Sequence, residues 1–169
     1  MKKVLSWLAI IATVITCGLW GTNTISNTNS VSAATTRKWT KSKDRQLNNF
    51  INSWAPKMNQ SYKKYDGQNS LHVSTGGNYP DDLSKEVTPD GGSIGWAPTG
   101  KGHYDYNVVA IYNYDGTRPP LPNRITYLFA FHHGKPVALV DQTRDGDPTC
   151  HPTANKDVAK NFRRIANEK

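Results

Sequence analysis

The clearest periodic stretch of the chain runs through Leu47, Phe50, Ile51, Trp54, Met58, Tyr62 and Tyr65. Spacings of three and four put these side chains on one face of a helix of about six turns. Thr40 or Ser42 can cap its start, Asp44 lies in the first turn where the helix dipole favours an anion, and Asp66-Gly67 closes it. Pro56 lies off the apolar stripe and is expected to kink the helix on its wet side. Beyond Gly67 the period becomes alternating. Leu71-His72-Val73 is a short strand candidate, and Glu86-Val87-Thr88 with Ser93-Ile94-Gly95-Trp96 forms a hairpin around Pro89-Asp90-Gly91-Gly92. Residues 104–114 make a long strand with Tyr104, Tyr106, Val108, Ala110, Tyr112 and Tyr114 on one face. Asp115-Gly116 and the prolines Pro119, Pro120 and Pro122 predict a stiff crossover.

Ile125, Tyr127, Phe129 and Phe131 form the next alternating face, and His133-Gly134-Lys135 turns the chain into residues 136–140. Val158, Phe162, Ile165 and Ala166 mark the apolar side of a C-terminal helix. No helix separates the strands, so the class is α+β. The expected architecture is a long N-terminal helix packed on a curved, mainly antiparallel sheet of four to six strands, with a short C-terminal helix.

Upstream, Lys2 and Lys3 precede an uncharged, mostly apolar run over residues 4–20, and small residues follow around Val31-Ser32-Ala33. That order defines a secretory signal peptide cut after Ala33. A membrane anchor competes, but the 17-residue run is at the short limit of a span and is diluted by Thr13, Thr16, Cys17 and Gly18. A lipid anchor at Cys17 is the other alternative, since Val14-Ile15-Thr16-Cys17 resembles a lipobox. It is disfavoured because Thr16 is larger than the usual Gly, Ala or Ser and the apolar run continues through Trp20. The expected organisation is a signal peptide at 1–33, a basic arm at 34–42 and a single α+β domain at 43–169. Cleavage leaves 136 residues whose only cysteine is Cys150, so no internal disulfide forms, and the mature chain has no stable membrane span.

Composition adds a charge argument. The chain has 21 Lys+Arg against 13 Asp+Glu, a net charge of +8, or +6 after cleavage. Five basic residues accompany Asp44 in 37–45, and five more accompany Asp157 and Glu168 in 156–169. Outside a cell this charge would draw the protein to anionic wall polymers and headgroups. Export and the lack of a recognised nucleic-acid motif argue against nucleic acid as a partner. Solvated helix faces would explain the same charge without a partner.

Several residue groups deserve weighing as chemistry. Residues 95–102 match most of a phosphate-binding loop, but Gly102 stands where Ser or Thr is needed and a strand follows in place of a helix. His132-His133, with Asp141 across the hairpin or with Asp105, offers a histidine–carboxylate pair, but solvent-exposed turn histidines explain it better, since adjacent strand histidines point to opposite faces and the spacing matches no zinc motif. Asp141, Asp145 and Asp147 surround Arg144, and local pairing with the arginine explains them better than calcium. Cys150-His151 lies between Pro148 and Pro152 in an expected loop, a poor setting for a thiolate nucleophile. The aromatic group is more informative. Tyr104, Tyr106, Tyr112, Tyr114 and Trp96, with Asp105 and Asn107 alongside, could stack on sugar rings and satisfy their hydroxyls, core packing being the other explanation.

From Trp39 onward the chain resembles a family of domains of unknown function (4767 type) found in secreted proteins and lipoproteins of lactic acid bacteria. Trp39, Asp44, Leu47, Phe50, Trp54, Met58 and Gln60 carry the likeness, with residues 93–98, 104–117 and 119–123. The resemblance implies an exported, envelope-associated protein and brings no catalytic residues across. The expected function is a secreted, non-catalytic binding or accessory domain, with an anionic cell-wall polymer or a glycan as ligand. No catalytic residue, metal or cofactor is assigned. A hydrolase acting on envelope material through a histidine–aspartate pair, and a protein-binding or inhibitory module, are the alternatives.

Overall fold

The computed structural model describes residues 37–118 and 121–169, without the side chains of 117–122. Residues 1–33, expected to be a signal peptide, and Cys17 within them lie outside the described residues. The described residues form a compact unit. Its first α-helix, α1, spans Lys41–Trp54, and the Thr40 side chain accepts a hydrogen bond from the Lys43 amide. Trp39, within the segment expected as a basic arm, is buried and its amide donates to the Thr99 carbonyl.

The long helix is shorter than its stripe suggests. After Trp54 the backbone tightens into a 3-10 turn, Ala55–Met58, with Pro56 near its start. Asn59 then takes a left-handed conformation that ends the helical segment. Proline lacks the amide a continuing α-helix would need here, so Pro56 helps to end the helix rather than kink it. Met58 is consequently exposed, and Tyr62 and Tyr65 belong to the chain beyond.

The remaining described elements are β1 (Lys63–Lys64), β2 (Leu71–His72), β3 (Asn78–Tyr79), β4 (Ile94–Trp96), β5 (Tyr106–Arg118), β6 (Leu121–His132), β7 (Lys135–Asp141), β8 (Cys150–Pro152) and α2 (Lys156–Asn167). A 3-10 turn at Asp81–Lys85 follows β3. The class is α+β, with a six-stranded, mainly antiparallel sheet in the order β1-β5-β6-β7-β8 and β4 also paired to β5. The sheet is open and not strongly curled, against the expected curvature. β2 and β3 form a separate small hairpin.

Two connections differ from expectation. β5 and β6 are adjacent antiparallel strands, with Thr117 opposite Pro122, where a crossover was expected. β4 runs parallel to β5, and Val87 bridges to Thr149, so 86–96 is no hairpin.

Apolar side chains cover both sheet faces. On one, Leu47, Ile51 and Trp54 of α1 and Val158, Phe162 and Ile165 of α2 pack on Tyr127, Phe129 and Phe131. On the other, Leu71, Val73, Tyr79, Leu83 and Ile94 cover Val108, Ile111, Leu128 and Leu139. The sheet is therefore a middle layer between two helices and a loop-rich cover.

Candidate functional site

The two basic ends of the domain meet. α1 and α2 pack side by side on the sheet, bringing the start of α1 beside the end of α2. The Lys43 ammonium donates to the Lys38 and Ala166 carbonyls at 3.2 and 2.9 Å, joining the two ends. Gln46 donates to Glu168 at 2.7 Å, and Arg164 donates to the other oxygen of the same carboxylate. Between them opens a cleft of about 660 Å³ lined by Arg37, Lys38, Lys43, Lys101, Lys169 and the already engaged Glu168. None of the five cations has a carboxylate partner within 4.0 Å among the described residues. Residues 1–36 contain no Asp or Glu. The cleft thus carries concentrated positive charge that local acids do not neutralise.

The expected tyrosine face is divided. A β-bulge between Val108 and Ala110 shifts the register of β5 against β6. One extra residue reverses the alternation, so side chains that share a parity in sequence leave on opposite sides. Tyr106 joins the loop-covered core, while Tyr112 and Tyr114 lie under the helices. Tyr106 and Tyr112 are only 3% and 1% exposed, and both serve packing. Tyr104 is half-buried, packs tilted against His103 and covers Gly95, where an added Cβ would run into its ring. Asp105 accepts from the Ser93 amide and hydroxyl at 2.8 Å, and these bonds hold its carboxyl below the usual range. Asn107 donates to the Tyr104 carbonyl at 2.7 Å. Trp96 lines a cleft, with its ring edge-on to Tyr65 at 5.0 Å.

The histidine pair has a different acid. His132 stacks on Tyr106 at 4.0 Å, and its Nε2 lies 3.3 Å from Asp90 without hydrogen-bond alignment. Asp141 faces Thr126 while His132 faces Lys135, about 20 Å apart along the strand. Residues 95–102 form the end of β4 and a turn with Gly100 left-handed, leading to β5 and not to a helix. Among the described residues no group of three His, Cys, Asp or Glu side chains is arranged to hold a metal ion.

Asp141 instead belongs to a buried network that sequence reasoning missed. It pairs with Arg124 at 2.5 Å, not with Arg144, and the two side chains are 0% and 2% exposed. Arg124 also donates to the Thr126 hydroxyl and the Thr143 carbonyl, and Thr126 donates to Asn113. Glu86 accepts from the Tyr79 hydroxyl and is pushed up to about 7, first by burial and then by Asp141. Burial likewise raises the Cys150 thiol, keeping it protonated, while the adjacent His151 is exposed on β8. The available signal was a basic and an acidic residue at diagonal positions on adjacent strands, Arg124 near the Thr126–Asp141 pair. Above Arg124 and Tyr79 lies a cavity of about 340 Å³ bordered by Arg144, Asp145 and Lys85.

The fold is thus an α+β domain with a basic cleft at one end and a sealed ionic network inside it. A family model described as a domain of unknown function (DUF4767) matches residues 36–166, and the chain belongs to that family. No curated protein and no solved structure matches the chain. Among the described residues, no helix is long and apolar enough to cross a membrane.

Proposed function

We propose that the domain is an exported, non-catalytic module that binds an anionic polymer of the cell envelope through the cleft between the start of α1 and the end of α2. The observation carrying this reading is the convergence of Arg37, Lys38, Lys43, Lys101 and Lys169 on one cleft whose one lining carboxylate, Glu168, is engaged by Gln46 and Arg164. Such a concentration of one sign raises the local density of counter-ions and favours a phosphate-rich chain over a single small anion. The two basic segments are distant in sequence and adjacent in space, which supports a shared role over two unrelated solvated faces. For the hydrolase alternative, the only histidine–aspartate pair within 4.0 Å among the described residues is His132 with Asp90, and the His132 Nε2 makes no hydrogen bond there.

The test is sedimentation of the 34–169 domain with isolated cell walls. Binding is expected at low salt and release at about 0.5 M, where screening acts within a few ångströms. The exposed residues Arg37, Lys101 and Lys169, changed together to Gln, should weaken binding about tenfold or more while leaving thermal stability unchanged. Retention by the triple variant equal to the parent would overturn the proposal.

A further inference from the structure

Aspartate precedes glycine at four places among the described residues: Asp66-Gly67, Asp90-Gly91, Asp115-Gly116 and Asp145-Gly146. Such a step is chemically weak in any chain, because glycine carries no Cβ to screen its nitrogen from the carboxyl beside it. The fold treats the four differently. Asp66 accepts from the Gln68 and Asn69 amides and from the Asn69 side chain, so both its oxygens are turned to residues further along. Asp90 accepts from the Gly92 amide at 3.1 Å. Asp115 lies within β5 and accepts from the Ser74 amide at 3.0 Å, and Gly116 beside it is buried. Asp145 instead turns to its own neighbour and accepts from the Gly146 amide at 2.9 Å. Both residues are exposed, and no atom beyond the chain neighbours lies within 4 Å of where a Gly146 Cβ would sit.

Contact between two reacting groups is what an intramolecular reaction needs. Ring closure joins the Gly146 nitrogen to the Asp145 Cγ and breaks the Cγ–OH bond of the protonated carboxyl. The amide proton leaves with that hydroxyl as water, and a five-membered imide remains. Water then adds back at either imide carbonyl, giving aspartate again or isoaspartate, in which the chain runs through Cβ. No oxidant, cofactor or second protein is required. Only the acid form loses water readily, and bonds led by Asn69 at Asp66 and by Gly92 at Asp90 hold those two carboxyls below the usual range, keeping that form scarcer there. We infer that Asp145-Gly146 is a modification site, where the folded domain spontaneously forms isoaspartate ahead of its other Asp-Gly steps. The conversion inserts a backbone methylene into the segment between β7 and β8. That segment supplies the Thr143 carbonyl to Arg124, and Arg144, Asp145 and Gly146 border the cavity above it, so the change reshapes the cover over the buried ion pair.

The site lies outside the basic cleft and does not depend on the polyanion reading. The test is to age the folded 34–169 domain for weeks at neutral pH in ¹⁸O-enriched water, which labels every imide that opens. Lys85, Lys101 and Arg124 separate the four steps, so tryptic peptides report on each, and fragmentation assigns label and isoaspartate to a residue. Both are expected to be severalfold higher at residue 145 than at 66, 90 or 115. Asp145→Glu, whose longer side chain would have to close a six-membered ring, should remove the signal at that position. In urea the preference should vanish, since the unfolded chain presents four like steps. No label at 145, a level at another Asp-Gly step equal to or above it, or a preference for 145 that survives in urea would overturn the inference.

Discussion

Glu86 shows how burial sets the chemistry of a single residue. Its carboxyl meets Tyr79 from β3, Asp141 from β7, Cys150 from β8 and Arg124 from β6, and one of its oxygens lacks a partner. Folding raises its pKa from 4.5 to about 7, so the folded state holds the proton more tightly. The resulting stability is fully present below the unfolded value and is lost as pH rises through about 7. Urea unfolding of the 34–169 domain should therefore show greater stability at about pH 5 than at about pH 8, by on the order of 1–3 kcal/mol. Glu86→Gln should flatten that difference, and a parent-like slope in the variant would remove Glu86 as its source.

Cys150 gives a second readout at this scale. A buried, protonated thiol is a poor nucleophile, so its reaction with a disulfide reagent at about pH 8 should be slower in the folded domain than in urea by about a hundredfold or more. Fast labelling of the folded domain would contradict the burial.

At the scale of elements, α1 and α2 hold one sheet face closed. Phe162 is fully buried and touches Trp39, Phe129 and Phe131. Phe162→Ala should cost about 3–5 kcal/mol in chemical denaturation, since it removes a fully buried ring packed among three other aromatic rings. A cost below about 1 kcal/mol would mean that α2 is not docked as described.

Elements with a strong period were legible in the sequence. The α1 stripe up to Trp54, the alternation from Ile125 to Phe131 and the α2 face were all visible, and so was the α+β class. What failed depended on interactions that periodicity does not carry. Tyr62 and Tyr65 match a helical spacing by chance, because the chain leaves the helix at Pro56 and Asn59. The bulge at Val108–Ala110 inserts one residue into an otherwise regular alternation, and nothing in that apolar run marks it. Leu128 and Ala130, between the residues of the Ile125–Phe131 face, lie in the core under the loop-rich cover, a second buried face that the alternation of that strand does not announce. Asp141 reads in sequence as a loop acid beside Arg144, and nothing singles out Arg124, because pairing across strands appears only once the register is known.

At the scale of the molecule, the fold turns two separated basic segments into one surface. The sequence showed the charge and its two locations, but their adjacency required α1 and α2 to share a sheet face. Charge substitutions in the cleft should therefore act on association and hardly on folding, whereas substitutions in the Arg124–Asp141 network should act on folding. Arg124→Met leaves Asp141 buried without its partner and should cost about 3–5 kcal/mol in urea unfolding while wall binding by the folded fraction is unchanged.

The most direct test of polyanion binding is the salt dependence of affinity for a soluble polyglycerol phosphate, measured for the 34–169 domain and for the Arg37, Lys101 and Lys169 triple variant. The logarithm of the association constant should fall linearly with the logarithm of salt concentration, and the variant's slope should be shallower by about 2–3. Parallel lines for the two proteins, or an affinity indifferent to salt, would contradict binding through the cleft.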